Sequence, residues 1–239
     1  MWGWRAKIGF IIPCADFVQE LDAFNMAPDG VSVHFTRMPF PQPLTADALM
    51  HTLTQNLDEH LQLLTPLAAD VIVFGCTAGS FLRGAGYDEA IARNITKVTG
   101  AKATTASTSV VSALRALNLK KISVLAPYSS ELLEKLEAFL KGNGVEVLRK
   151  RGLDLYTDLA TAQVPPERIY QLAREVDVAD AQGILISCTT FRAADTIEDL
   201  ETDLQKPVIT ANQATMWNAL RIASIGDKID GYGQLFKKC

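Results

Sequence analysis

Two cysteines stand at the ends of apolar runs and each is followed by threonine: Val71-Ile-Val-Phe74 leads into Gly75-Cys76-Thr77, and Ile184-Leu-Ile186 leads into Ser187-Cys188-Thr189. A cysteine is a nucleophile or base as thiolate and a proton donor as thiol. Two of them facing one small molecule could take a proton from one side of a carbon and return one to the other, or attack an alkene carbon and protonate its neighbour. At a strand-to-helix turn, converging backbone N–H groups and the positive helix end favour thiolate. The same donors can hold a carboxylate or an enediolate. Thr77, Ala78, Gly79 and Ser80 would supply them on one side, and Ser187, Thr189 and Thr190 on the other. Either cysteine alone could simply fill space, because free cysteine is among the most buried residue types. The matched placement of the pair argues against that.

Two further strand tips carry Pro13-Cys14 and Pro127-Tyr128. The Tyr128 hydroxyl could point into a shared cleft, or its ring could pack at the strand end. Cys14 occupies the place that matches Tyr128 and suits a small core residue equally well. Asp16 and Glu20 are open to surface, capping or site roles, and Cys239 is a terminal thiol with no assigned chemistry. His34, His51 and His60 all fall within the first sixty residues. They form no Ser-His-Asp constellation, and phosphate loops of the G-x-x-x-x-G-K or G-x-G-x-x-G type are lacking. The four cysteines make no C-x-x-C pair, so structural zinc is not expected.

The elements that must position these residues repeat. The two cysteines lie 112 residues apart, and Ile8-Gly-Phe-Ile-Ile-Pro13 and Ile122-Ser-Val-Leu-Ala-Pro127 lie 114 apart by their prolines. Continuous apolar runs predict buried strands at 7–13, 70–75, 121–126 and 183–187. Weaker strands are expected at 31–38, 103–105, 145–149 and 207–210. Helical patterns fill 45–65, 86–98, 107–118, 129–142, 166–176, 192–204 and 212–224. Strand–helix alternation argues for parallel sheets, and the offset for internal duplication. The expected fold is α/β: two pseudo-symmetric Rossmann-like lobes, each a four-stranded parallel sheet flanked by helices, with the site in the cleft between them. One lobe would comprise 1–115 plus 212–239 and the other 116–211. A hinge is expected near Asn118-Leu-Lys-Lys121, and Lys141-Gly-Asn-Gly144 reads as a helix end with a left-handed glycine cap.

The chain of 239 residues is 48% hydrophobic, enough for a large core. A net charge of −4 with scattered Lys and Arg offers no footprint for nucleic acid or an anionic membrane. The N-terminal apolar run stops at Pro13, too short for a membrane span. Free thiols point to the cytoplasm. A small-molecule partner is expected, and a homo-oligomer is compatible with the sequence.

These residues resemble the aspartate/glutamate and hydantoin racemase superfamily, and more closely its branch containing maleate cis-trans isomerase and arylmalonate decarboxylase. The likeness runs through Ile8–Pro13, Gly75-Cys-Thr-Ala-Gly-Ser-Phe81, Thr105-Ala-Ser-Thr108, Ala113-Leu-Arg-Ala-Leu117, Ala126-Pro-Tyr128, Ser187-Cys188 and Gly231-Tyr-Gly-Gln-Leu-Phe236. In that branch the decarboxylases carry one catalytic cysteine, at the place of Cys188, and a glycine at the place of Cys76. The isomerases and racemases carry both. The resemblance implies catalytic roles for Cys76 and Cys188, and carboxylate binding by Thr77, Tyr128 and the backbone around Thr189. Ala78 replaces a serine of the decarboxylase pocket. Pro13-Cys-Ala-Asp-Phe17 replaces Pro-Ser-Ser-Asn-Thr of the isomerase, so Pro13 keeps its place and Asp16 takes that of a substrate-holding asparagine. A carboxylate there repels a dianion unless it is protonated or paired. The expected activity is therefore a cofactor-independent two-cysteine isomerase or racemase of a small carboxylate. An arylmalonate-type decarboxylase using Cys188 as proton donor and a non-catalytic two-lobed carboxylate binder are the alternatives.

Overall fold

The computed structural model describes residues 3–52 and 57–239. Among the described residues eight strands form two sheets of four: β1 (Ala6–Pro13), β2 (Val31–Met38), β3 (Val71–Phe74) and β4 (Lys102–Thr105), then β5 (Lys121–Leu125), β6 (Glu146–Arg151), β7 (Gly183–Ile186) and β8 (Val208–Thr210). The spatial orders are β2-β1-β3-β4 and β6-β5-β7-β8, and every pairing is parallel. The second order is the first with four added to each strand, so the repeat in sequence is a repeat in topology. Strands β3 and β7 are buried along their whole length, as expected for inner strands covered by helices on both faces. No residue of the outer strand β6 is fully buried.

The helices follow from local signals. Thr105 and Thr210 end β4 and β8 and cap the next helices, Ala106–Ala116 and Ala211–Ile222, by accepting from the Thr108 and Gln213 N–H groups at 3.0 and 3.3 Å. These two equivalent helices pack on one another, and Asn218 of the later one donates to Thr104 and Ser109 at 3.0 and 3.1 Å. The helix Ser130–Gly142 ends as expected, with Gly144 at φ +82° and its N–H bonded to the Lys141 carbonyl at 3.0 Å.

Several expectations need correction. The helix foreseen over 45–65 comprises Ala46–Thr52 and Leu57–Leu64, while residues 53–56 lie outside the described residues, as does the His51 side chain. The helix foreseen from 192 starts at Ile197, after a 3-10 turn at Ala194–Thr196. The helix expected to start after Cys76 is Thr77–Phe81, and three short helices were not foreseen: Val18–Asn25, Asp158–Ala162 and Gly233–Lys238. Segments of five to eight residues are too short to display a 3.6-residue apolar stripe. Among the described residues no helix is long and apolar enough to cross a membrane.

Candidate active site

The carboxyl ends of β1, β3, β5 and β7 supply Pro13, Cys76, Tyr128 and Cys188, where ligands bind in open parallel sheets. Cys76 caps the helix Thr77–Phe81, and its sulfur accepts from the Gly79 N–H at 3.3 Å. Its turn is fixed from below. Ser80 Oγ lies 2.7 Å from the Cys76 carbonyl and 2.8 Å from Ser107 Oγ, and Ser107 donates to the Thr77 carbonyl at 3.0 Å. Gly75 allows a close approach: a Cβ there would meet Gln19 Oε1 at 2.1 Å and Ile12 Cγ2 at 3.0 Å, so the Gln19 side chain would have to move.

Tyr128 links the two halves of the site. Its ring is buried and packs edge-on to Phe81 with centroids 5.7 Å apart, while its hydroxyl lies 2.7 Å from Thr77 Oγ1. The Ser187 side chain also hydrogen-bonds it, and the hydroxyl in turn supports the Cys188 sulfur. Burial, then the charge of Cys188, push the Tyr128 phenol well above its usual range, so it stays neutral and able to donate.

Cys188 departs from expectation. No helix begins beside it; the chain turns through Thr189 and Thr190 before the 3-10 turn, and Cys188 itself has φ +119°. The Thr190 backbone N–H supports its sulfur in place of a helix end. Its side chain is half-buried and touches both apolar clusters of the core.

Burial opposes the contribution of the N–H groups and the helix end to thiolate at these turns. Cys76 is pushed well above the ordinary thiol range, first by burial and then by Asp158, Cys188 and Asp16, against one opposing hydrogen bond from Gly79. Cys188 is pushed up to about 12, by burial and then by Asp158 and Asp16. In the site as it stands both are thiols.

Asp16 is wholly buried, with Oδ1 accepting from the Val18 and Gln19 N–H groups at 3.0 Å each. Burial raises its pKa, and the hydroxyls of Thr189 and Thr190 offset this only in part. Asp158, Gln19 and Asn212 were not singled out from sequence. Asp158 lies 3.5 Å from Thr190 Oγ1 and 3.2 Å from Gln42 Nε2, and burial followed by the Asp16 charge raises its pKa to about 6. Asn212 donates to the Thr189 carbonyl at 2.8 Å and to Asp22 at 2.7 Å. Thr157, which caps the Asp158 helix, was the one available local signal.

The remaining candidates sort plainly. Ala78 and Thr189 are buried beside the two cysteines, and Pro13 accepts the Asp16 N–H at 3.0 Å. Glu20 pairs with Arg37, whose guanidinium also donates to the Cys14 and Asp16 carbonyls. Cys14 itself is exposed. His34 bonds Ser32 on β2. Among the described residues no group of three or more His, Cys, Asp or Glu could hold a metal ion.

Comparison with known proteins agrees with this geometry. The family model described as arylmalonate decarboxylase matches residues 8–236. The chain is 30% identical over 241 residues to the arylmalonate decarboxylase of Bordetella bronchiseptica, covering 96% of this chain and 95% of that protein. It is 23% identical to the maleate isomerase of Geobacillus stearothermophilus, covering 96% of each. Its fold is similar to that of a liganded arylmalonate decarboxylase variant in which a glycine is replaced by cysteine and a cysteine by serine. There the TM-score is 0.91 at 28% identity, over 98% of this chain and 100% of that one.

Proposed function

We propose a reaction from the premise that the chain belongs to the arylmalonate decarboxylase family: it is a cofactor-independent isomerase or racemase of a small carboxylate, with Cys76 and Cys188 as its reacting groups. The observation that carries this reading is the second thiol. Cys76 and Cys188 are close enough that the charge of one acts on the other, and Tyr128 feels both. We read the chain as two lobes, 1–115 with 212–239 and 116–211, whose strand tips supply one thiol each.

The substrate carboxylate would rest on Thr77, Tyr128 and the N–H groups around Thr189. In racemisation one cysteine, as thiolate, takes the α-proton, and the electron pair moves into the carboxylate to give an enediolate. The other thiol returns a proton to the opposite face, so thiol and thiolate exchange places. In cis-trans isomerisation the thiolate adds to an alkene carbon while the other thiol protonates its neighbour. After rotation about the new single bond, loss of that proton expels the thiolate. Preorganised donors stabilise the anion in either route.

A second reading is favoured by the resting proton on Cys188. Decarboxylation of an arylmalonate needs a thiol, not a thiolate, to protonate the enediolate left after carbon dioxide departs. Proton NMR in heavy water on a panel of maleate, aspartate, hydantoins and arylmalonates separates the readings. An isomerase or racemase incorporates deuterium with matching loss of optical rotation, or converts cis to trans alkene, and Cys76→Gly abolishes this. Efficient decarboxylation to one pure enantiomer, with no exchange, would install the second reading instead.

A further inference from the structure

The residue after each cysteine has its carbonyl held from the same place in the repeat. Thr105 and Thr210 cap the helices that follow β4 and β8, so Ser107 and Asn212 each stand two residues past the cap. Ser107 Oγ donates to the Thr77 carbonyl at 3.0 Å, and Asn212 Nδ2 donates to the Thr189 carbonyl at 2.8 Å. Both donors are buried. Each sits on a first helical turn whose start is fixed, by the Thr105 cap in one case and by the reciprocal Thr210–Gln213 pair in the other. The turns after β3 and β7 differ in conformation, yet the brace recurs, with a different side chain supplying it each time. Asn212 is itself anchored, because the other hydrogen of its amide goes to Asp22 Oδ2 at 2.7 Å on the helix after β1.

A trans peptide is planar, and its C=O and N–H point to opposite sides. The Thr189 carbonyl and the Thr190 N–H belong to one such unit, so a donor that holds the carbonyl fixes where the N–H points. That N–H supports the Cys188 sulfur. No helix begins beside Cys188 to hold the unit, and φ of +119° is a conformation that a non-glycine residue keeps only where its surroundings dictate it. Resting on the two-cysteine reading above for its consequence in the reaction, we propose that Asn212 is a positioning residue for Cys188: by holding the Thr189 carbonyl from a rigid helix start, it aims the Thr190 N–H at the sulfur. Ser107 has the same part at Cys76, where it holds the first residue of the short helix whose Gly79 N–H meets that sulfur. A donor on the carbonyl also polarises the amide, so the N–H on its far side becomes a better partner for a thiolate.

Iodoacetamide alkylation of the whole protein between pH 8 and 10, with Cys76 and Cys188 resolved by peptide mass spectrometry, tests this without any substrate. In Asn212→Ala the thiolate fraction at Cys188 should fall about tenfold, as for the loss of one charge-assisted hydrogen bond. A more basic thiolate is also the better nucleophile, so the labelling rate of Cys188 should fall about threefold while that of Cys76 is unchanged. Ser107→Ala should do the reverse, slowing Cys76 and sparing Cys188. Asn212→Leu, close to asparagine in shape and without a donor, repeats the test if alanine at 212 does not fold. Loss of packing alone would expose both thiols and speed both, so acceleration of the pair, or unchanged rates, would overturn the inference. Turnover keeps the two readings apart. A wild type that reacts with no panel compound, while Cys188 slows in Asn212→Ala as expected, would sink the two-cysteine reaction alone. An active wild type whose labelling and kcat are both unaltered by Asn212→Ala would sink the positioning role alone, since misplacing a reacting group should lower kcat by about tenfold or more.

Discussion

After β3 the chain runs directly into a helix, with Cys76 at φ −141° as its cap and the sulfur held by the Gly79 N–H. After β7 no helix begins directly, Cys188 has φ +119°, and its sulfur is supported by the Thr190 N–H and the Tyr128 hydroxyl. Duplication preserved strand order and strand ends, but not the turns. One thiol sits in relaxed backbone beside a helix end; the other sits in a conformation that costs a non-glycine residue roughly 1–3 kcal/mol. Symmetry of the strands thus brings two like groups to one place, and asymmetry of the turns gives them different surroundings. Strain at Cys188 fits a group whose position matters more than its stability.

The largest test of this comparison is chemical. If the two thiols act in one step despite their different turns, Cys76→Ser and Cys188→Ser should each lower kcat by about 10³-fold or more, within the range expected for losing a proton-transfer group. The double variant should be little worse, because groups that act as a unit are non-additive. Steady-state kinetics on whichever panel compound reacts decides this. A single variant that keeps full activity would reduce the pair to one working thiol.

How much of this could be read from the sequence follows from the same contrast. The strands were legible because buried parallel strands are continuous apolar runs, and the offset between Pro13 and Pro127 carried the duplication. The positions of Cys76, Cys188 and Tyr128 followed from those strand ends. The turn at Cys188 was not legible, because Ser187-Cys188-Thr189 reads like Gly75-Cys76-Thr77 although Gly75 lies close against Gln19 and the left-handed residue lies at 188. Nor were the protonation states. A helix N-terminus argues for thiolate, and only the packed structure shows burial and two nearby acids prevailing. Asp158 comes from a short helix with no apolar period, and its place beside Thr190 is a matter of tertiary contact alone.

Asp158 sharpens the comparison at an intermediate scale. After burial its charge is the largest influence on Cys188, and it faces Asp16, Thr190 and Gln42 as well as both thiols. Its pKa is raised to about 6 from 3.8, so the folded protein binds more protons than the unfolded chain between those values. Stability therefore falls as pH rises through that window, and above it the buried carboxylate is a standing cost. Asp22, raised to about 7, acts in the same direction. Asp158→Asn should raise stability by about 2 kcal/mol at pH 8 and change little at pH 3.5, measured by urea unfolding at both pH values. In the same variant, alkaline iodoacetamide labelling of Cys188 should accelerate more than that of Cys76. Equal acceleration would mean that the two turns feel the acid alike.

The smallest effect isolates the backbone difference itself. Alanine and glycine both remove the sulfur, so comparing them at each position cancels most of the lost chemistry. At 188, alanine keeps the strain of φ +119° while glycine relieves it, and glycine gives back part of that gain through the freedom it adds to the unfolded chain. Cys188→Gly should therefore be more stable than Cys188→Ala by about 1 kcal/mol. At 76 the backbone is extended and the residue caps a helix. Glycine is the better cap, but alanine keeps a buried methyl group. The two contributions oppose, so Cys76→Gly and Cys76→Ala should agree to within about 0.5 kcal/mol. Urea midpoints of the four variants at one pH, with common m-values, give both differences directly. A glycine advantage of the same size at both positions would place the asymmetry in the helix after Cys76 and not in strain at Cys188. No advantage at 188 would mean that the turn relaxes around alanine and stores nothing.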